Sequence, residues 1–297
     1  MINEAQPMKS LWESYWRLED SPPVTMHPSV YDGTELLRPY CTQTSLPPKE
    51  QRALIVEWCN SLPSFSGVRT LWFHSKVTQG LFDAACKMKN LERLYIKWSG
   101  ITDLTPIKNL QNLTHLHLGS APSAEPIKAL SGLRNLVDLE IMNVRSLSNL
   151  SFLKEMNQLQ SLDMSGDGLS GKNLKLNTLE HIQDLSSLER LAISCVSLQD
   201  GSLKPIATLP QLKQLMLSNQ FEMEEFAYLA AKIPHVQCGK FNPPGELVSR
   251  ICLECGDKNS VMLIGSRKGI HCSHCKSELI DSHTNKFNRV REILANV

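Results

Sequence analysis

Residues 113–118 read LTHLHL, with leucines at 113, 116 and 118 and histidines at 115 and 117. The same apolar-x-x-apolar-x-apolar spacing recurs along the chain. It appears at Val68-Leu71-Phe73, Leu91-Leu94-Ile96, Leu136-Leu139-Ile141, Leu159-Leu162-Met164, Leu188-Leu191-Ile193 and Leu212-Leu215-Leu217. A degraded copy spans 236–241, where Gly239 replaces the middle apolar residue. Successive copies are offset by 23, 22, 23, 23, 29, 24 and 24 residues. A second apolar patch follows each strand-like triplet, as in Ile101-Leu104-Ile107-Leu110 and Leu203-Ile206-Leu209. No single copy can bury its apolar face alone, so neighbouring copies must stack and share one continuous core.

The stretch ITDLTPIKNLQNL (101–113) resembles the 22-residue repeats of internalin-type and phosphatase-regulator-type leucine-rich repeat proteins. The resemblance covers roughly residues 68 to 241. It implies an α/β solenoid of about seven to eight repeats, with parallel strands on the concave face and helical or irregular segments on the convex face. The sequence departs from that family eight residues after each first leucine, where an asparagine usually bonds the backbone of the turn. Here those positions hold Lys76, Ser99, Ala121, Val144, Asp167, Val196 and Gln220, so less regular turns are expected. The 29-residue step contains an insertion at 166–181, expected as a surface loop that is either merely tolerated or contributes to binding.

Successive strand residues point to opposite faces. The residues between the consensus aliphatics are therefore expected to look outward from the concave face. The first such position holds Thr70, Arg93, His115, Asp138, Ser161, Arg190 and Gln214; the second holds Trp72, Tyr95, His117, Glu140, Asp163, Ala192 and Met216. With His74, Lys97 and Trp98 just beyond, an aromatic and basic patch is expected beside an acidic one. Exposed Trp, Tyr and Arg dominate binding energy at protein interfaces, and adjacent opposite charges steer association. Trp72, Arg93, Tyr95, Lys97, His115, His117, Asp138, Glu140 and Asp163 are the candidate partner-binding residues. The alternatives are a solvated face with no dedicated partner, or one covered by the N-terminal arm. A metal site at His115 and His117 would lack an evident third ligand.

An open solenoid needs caps. Residues 46–62 (LPPKEQRALIVEWCNSL) carry proline at the start and an apolar stripe of Leu54, Ile55 and Trp58, which predicts an N-terminal capping helix. Before it lie Trp12, Tyr15, Trp16, Tyr31 and Tyr40, expected to pack against the first coil or to form an exposed docking arm. The expected organisation is an arm and capping helix over 1–66, the solenoid over 67–241 and a small module over 246–297, with FNPPGEL (241–247) as the break.

The last module contains Cys252, Cys255, Cys272 and Cys275, spaced C-x2-C-x16-C-x2-C around a glycine-bearing segment suited to a hairpin. Two-residue gaps let both sulfurs of a pair reach one ion, and Gly256 can supply the positive φ of the knuckle. The segment 250–278 resembles the zinc-ribbon family. That implies one structural Zn2+ per chain held by the four thiolates, with no open position for hydrolytic chemistry. A redox dithiol pair, an iron–sulfur cluster, or His271 or His274 replacing one cysteine are the alternatives. From Glu246 onward eight Lys or Arg stand against six Asp or Glu, or +2. A zinc tetrathiolate adds about −2, so nucleic-acid binding is disfavoured. The tail 285–297 is expected to form a short amphipathic helix on the ribbon or the last repeat.

The formal charge of +1 over 297 residues gives no global field for nucleic acid or membrane. There is no apolar run long enough to span a bilayer and no signal-like N-terminus, so a cytoplasmic, reducing setting is expected. Cys41, Cys59, Cys86, Cys195 and Cys238 are scattered and read as small buried residues. The chain carries no Gly-rich phosphate loop, nucleophile elbow or HExxH helix. The expected role is thus a non-catalytic protein-binding module with no small-molecule substrate. One version, by analogy with bacterial-type repeats, is an immunity protein that neutralises a toxin. Alternatives are an adaptor for nucleic acid or a ribosomal component through the ribbon, or a zinc enzyme.

Overall fold

Each of the seven clear aliphatic triplets carries a strand, and the strands lie side by side in parallel. The structure is a computed structural model and describes residues 23–168 and 170–296. The predicted copies form β3 (Thr70–Phe73), β4 (Arg93–Ile96), β5 (His115–Leu118), β6 (Asp138–Met142), β7 (Ser161–Ser165), β9 (Arg190–Ser194) and β11 (Gln214–Leu217). The sheet has nine strands, because β1 (Val24–Thr25) and β2 (Leu36–Pro39) extend it on the N-terminal side. Part of the segment read as an arm is therefore sheet. Leu36 and Leu37 pair with Thr70 and Leu71 just as later copies pair with one another. The degraded copy at 236–241 makes only an isolated bridge, Gln214 with Gln237, before a short 3-10 turn at Gly239–Phe241.

The convex side is built mainly of 3-10 segments: Thr105–Asn109, Ile127–Gly132, Ser151–Glu155, Glu180–Asp184 and Lys204–Thr208. Steps of 22 to 24 residues leave room for only one tight helical turn behind each strand. Leu94, Leu116, Leu139, Leu162 and Leu191 point inward from the strands. Ile107, Leu130, Leu153, Ile182 and Ile206 meet them from behind, all fully buried in one continuous core. This is a leucine-rich repeat solenoid.

An asparagine ladder exists, but at the turn that enters each strand. The Nδ2 groups of Asn90, Asn112 and Asn135 donate to the carbonyls of Ser66, Lys89 and Gln111 in the preceding copy, at 3.0, 3.0 and 2.8 Å. Each asparagine directly precedes the first leucine of its copy, so it can satisfy a carbonyl that the parallel ladder leaves open.

Helix α1 (Pro48–Ser61) closes the N-terminal end. It buries Leu54 and Trp58, and Trp58 Nε1 donates to Met26 O at 2.8 Å. Helix α2 (Gln79–Ala85) follows β3, with the Thr78 side chain accepting from Leu81 N. Tyr31 packs on Phe65 and Tyr40 lies edge-on to His74, with centroids 4.5 and 5.0 Å apart. Trp12, Tyr15 and Trp16 lie outside the described residues. The inserted segment contributes β8 (Leu174–Leu176), which pairs in parallel with β10 (Val196–Leu198).

At the other end, helix α3 (Met223–Lys232) covers the last repeat. A three-stranded antiparallel sheet follows, β12 (Gly245–Ser249), β13 (Asn259–Leu263) and β14 (Ile270–Cys272), and then helix α4 (Ser277–Ala295). This module is seated on the solenoid. Ile264, from its hairpin tip, and Phe287, from α4, join the main core. Asn219 clamps the tip by donating to Leu263 O and accepting from Gly265 N, both at 2.7 Å. Lys286 reaches Glu224 at 2.9 Å. The amphipathic tail helix thus spans both expected docking places, and the hairpin tip is packed against Met223. No helix among the described residues is long and apolar enough to cross a membrane.

Candidate functional site

The concave sheet brings the sequence-predicted residues into register. Thr70, Arg93, His115, Asp138, Ser161, Arg190 and Gln214 are successive strand partners. So are Trp72, Tyr95, His117, Glu140, Asp163, Ala192 and Met216. Adjacent strands lie about 4.8 Å apart, so side chains of one row touch. The Trp72 and Tyr95 rings are 4.8 Å apart and tilted, and the Tyr95 and His117 rings stack at 4.3 Å. His117 Nδ1 is 2.6 Å from Glu140 Oε2. The Arg38 guanidinium sits 4.8 Å over Trp72. Further along, Arg190 bonds Ser161 Oγ at 3.2 Å and approaches Asp163 at 3.6 Å.

The expected exposure of this row is corrected by the structure. Trp72, Tyr95 and His117 are only 5%, 1% and 1% exposed, and Asp138 and Glu140 are buried as well. From Trp72 to Glu140 the row is a buried aromatic and polar spine, not an open strip, while Met216 at its far end is exposed. Alternation fixes which face a residue takes but not how deeply its neighbours on that face enclose it. Arg93, His115 and Asp163 remain half-buried, and Lys97, Trp98 and His74 are exposed along the flank. Lys97 stands 5.5 Å from the Trp98 ring.

Burial sets the protonation of the row. Desolvation, with Glu140 nearby, raises the Asp138 carboxyl to about 7. Desolvation, helped by Arg93, lowers His115 to about 4, and its Nδ1 lies 2.9 Å from Thr114 Oγ1. Burial also pushes the Tyr95 hydroxyl well above its ordinary value. At neutral pH the face thus carries neutral His115 beside Arg93 at one end and the Asp138, Glu140 and Asp163 carboxyl groups at the other. His117 is engaged with Glu140, and among the described residues the four cysteines are the one group of three or more His, Cys, Asp or Glu side chains close enough together to share an ion.

Two features of the row escaped the sequence. Arg38 lies in β2, whose single Leu36-Leu37 pair gives no triplet signal. Gly119 follows LTHLHL directly. A Cβ there would lie 2.7 Å from His117 Nε2 and 2.9 Å from Ile96 O, and closer still to Lys97 O. Glycine is what lets the chain turn under the His117 ring.

The second site is the cysteine cluster. Cys252 and Cys255 lie in the knuckle between β12 and β13, while Cys272 and Cys275 bracket the turn after β14. Gly256 takes φ +74° and donates to Cys252 O at 2.9 Å. All four Sγ atoms lie within 4.8 Å of one another, with Cys252–Cys275 at 3.9 Å and Cys255–Cys272 at 3.7 Å. Four sulfurs at 2.3 Å from a tetrahedral centre would be about 3.8 Å apart. The donor set therefore fits a metal ion. Amide donors from Cys255 and Glu254 lower the Cys252 thiol to about 7, while the neighbouring sulfurs, Cys255 first, push the Cys275 thiol up.

No known family profile matches this chain, and no curated protein matches it. Solved structures do resemble it. An internalin C2 from Listeria monocytogenes is 22% identical, with 61% of this chain and 72% of that one covered and a TM-score of 0.43. A second Listeria monocytogenes internalin (inlF) is 20% identical, with coverages of 60% and 56% and a TM-score of 0.41. A leucine-rich repeat protein from Leptospira interrogans is 16% identical, with coverages of 77% and 57% and a TM-score of 0.48. The chain thus spans less than two thirds of the length of the latter two.

Proposed function

We propose that this leucine-rich repeat chain is a non-catalytic protein-interaction module that reads its partner with the concave sheet. The supporting observation is the in-register row. Trp72, Tyr95, His117, Asp138 and Glu140 form a rigid spine, and that spine holds Arg93, Lys97, His115 and Asp163 at fixed spacing on the accessible flank. Fixed side chains lose little freedom on binding, so affinity is retained. A cationic end beside an anionic end selects a partner of complementary charge order and sets its orientation. A toxin neutralised by occlusion is one such partner.

We further propose that the cysteine cluster holds one structural Zn2+. Four thiolates close the coordination sphere, so the ion supplies folding energy and no reactive position. Ile264 and Phe287 would carry that energy into the end of the solenoid, which makes the module a C-terminal cap. The abundance of free thiols suits the cytoplasm.

The test is affinity capture from the native host with the immobilised chain, comparing wild type with Arg93→Glu/Lys97→Glu. A specific partner should be retained by wild type and lost by the variant, which melts like wild type. Equal retention would remove this flank from the interaction.

A further inference from the structure

A concavity of about 540 Å³ lies outside the concave face, past the C-terminal ends of β6 and β7. The 29-residue step makes it. Gly166 crosses so close to the next coil that a Cβ would lie 2.5 Å from Lys172 O and 2.7 Å from Leu174 N, and closer to Cys195 O. This crossing folds the inserted segment back over the turn at 143–145. Asn143 anchors that turn in a left-handed conformation (φ 48°), with its Nδ2 bonded to Ser120 Oγ at 3.1 Å.

Three cations, Arg145, Lys172 and Lys175, line the hollow, and its lining includes no carboxylate. None of the three forms a hydrogen bond or ion pair through its side chain among the described residues, although the chain carries nearly as many acids as bases. The neighbouring Asp167 turns to its own loop, accepting from Ser170 N and Oγ at 3.2 and 2.6 Å. Val144 and Leu174 close the floor, both almost wholly buried. Concave sites with a few convergent polar groups take small molecules, and clustered cations without counter-charges suit phosphate.

We propose that this hollow binds a phosphate-bearing small molecule of about nucleotide size. The phosphates would lie against Arg145, Lys172 and Lys175, and the rest of the molecule over the floor closed by Val144 and Leu174. The site is separate from the concave flank, so either stands without the other.

The experiment is calorimetric titration of the full chain with ADP, pyrophosphate and adenosine. ADP and pyrophosphate should bind one to one, ADP more tightly, and adenosine should give no heat. Arg145→Ala and Lys175→Ala should each weaken ADP about tenfold, consistent with loss of one charged contact, without changing the melting temperature. Lys154→Ala, on an exposed convex segment, should leave affinity unchanged. No heat from ADP or pyrophosphate at millimolar concentration would overturn the proposal. So would an equal loss from Lys154→Ala, which would mark diffuse charge attraction only.

Discussion

Asp138→Asn tests whether the polar spine is truly enclosed. Asp138 pairs with His115 and Ser161 on the neighbouring strands and is 6% exposed. Its Oδ1 has no hydrogen-bond partner. Burial first, and Glu140 second, raise its carboxyl from 3.8 to about 7. The folded protein therefore binds a proton that the unfolded chain has already lost between pH 3.8 and about 7. Stability from this group is full below the unfolded value and falls as pH rises towards the folded one. The gap corresponds to at most about 4 kcal/mol by pH 8. Asparagine keeps the shape and removes the charge, at the expense of burying an amide, so a net gain of about 1–3 kcal/mol at pH 8 is expected. At pH 4 the two proteins should be nearly equal. His115, lowered to about 4, gives the opposite slope between pH 4 and 6.5, but both proteins carry it and it cancels in the difference. Urea unfolding at pH 4, 6 and 8 measures this. A difference that does not grow with pH, or a destabilised Asp138→Asn at pH 8, would refute the reasoning.

Three further outcomes follow from the packing. Gly119→Ala forces a methyl group against the backbone of the neighbouring coil and the His117 ring; denaturant melts should show a loss of about 1–3 kcal/mol. Asn112→Ala breaks one rung of the asparagine ladder and leaves Lys89 O unpaired, which should lower stability by about 1 kcal/mol in the same assay. Metal analysis should find about one zinc per chain. Cys255→Ser should lose that zinc and raise amide exchange in β13, β14 and α4 together, whereas retention of metal and protection would refute the cap.

The repeat was legible because burial and periodicity are one signal here. Each triplet such as Leu113-Leu116-Leu118 must face the shared core, and the spacing fixes strand, register and stacking direction at once. The cysteine pairs were legible for a similar reason, since ligand spacing is local. Depth was not. His117 and Met216 occupy equivalent positions, yet the first is enclosed and the second is 53% exposed, because enclosure depends on what surrounds a position and not on its alternation. β2 was missed because its Leu36-Leu37 pair lacks the third aliphatic. The ladder of Asn90, Asn112 and Asn135 was missed because the asparagines sit before the first leucine instead of after the strand.

The measurement that bears most directly on the central claim is hydrogen–deuterium exchange of the chain with and without its captured partner. Added protection should concentrate at 93–98, 115–117 and 161–163, with 127–132 and 151–155 unchanged. Protection confined to those convex segments, with the strand ends untouched, would contradict a partner held by the concave sheet.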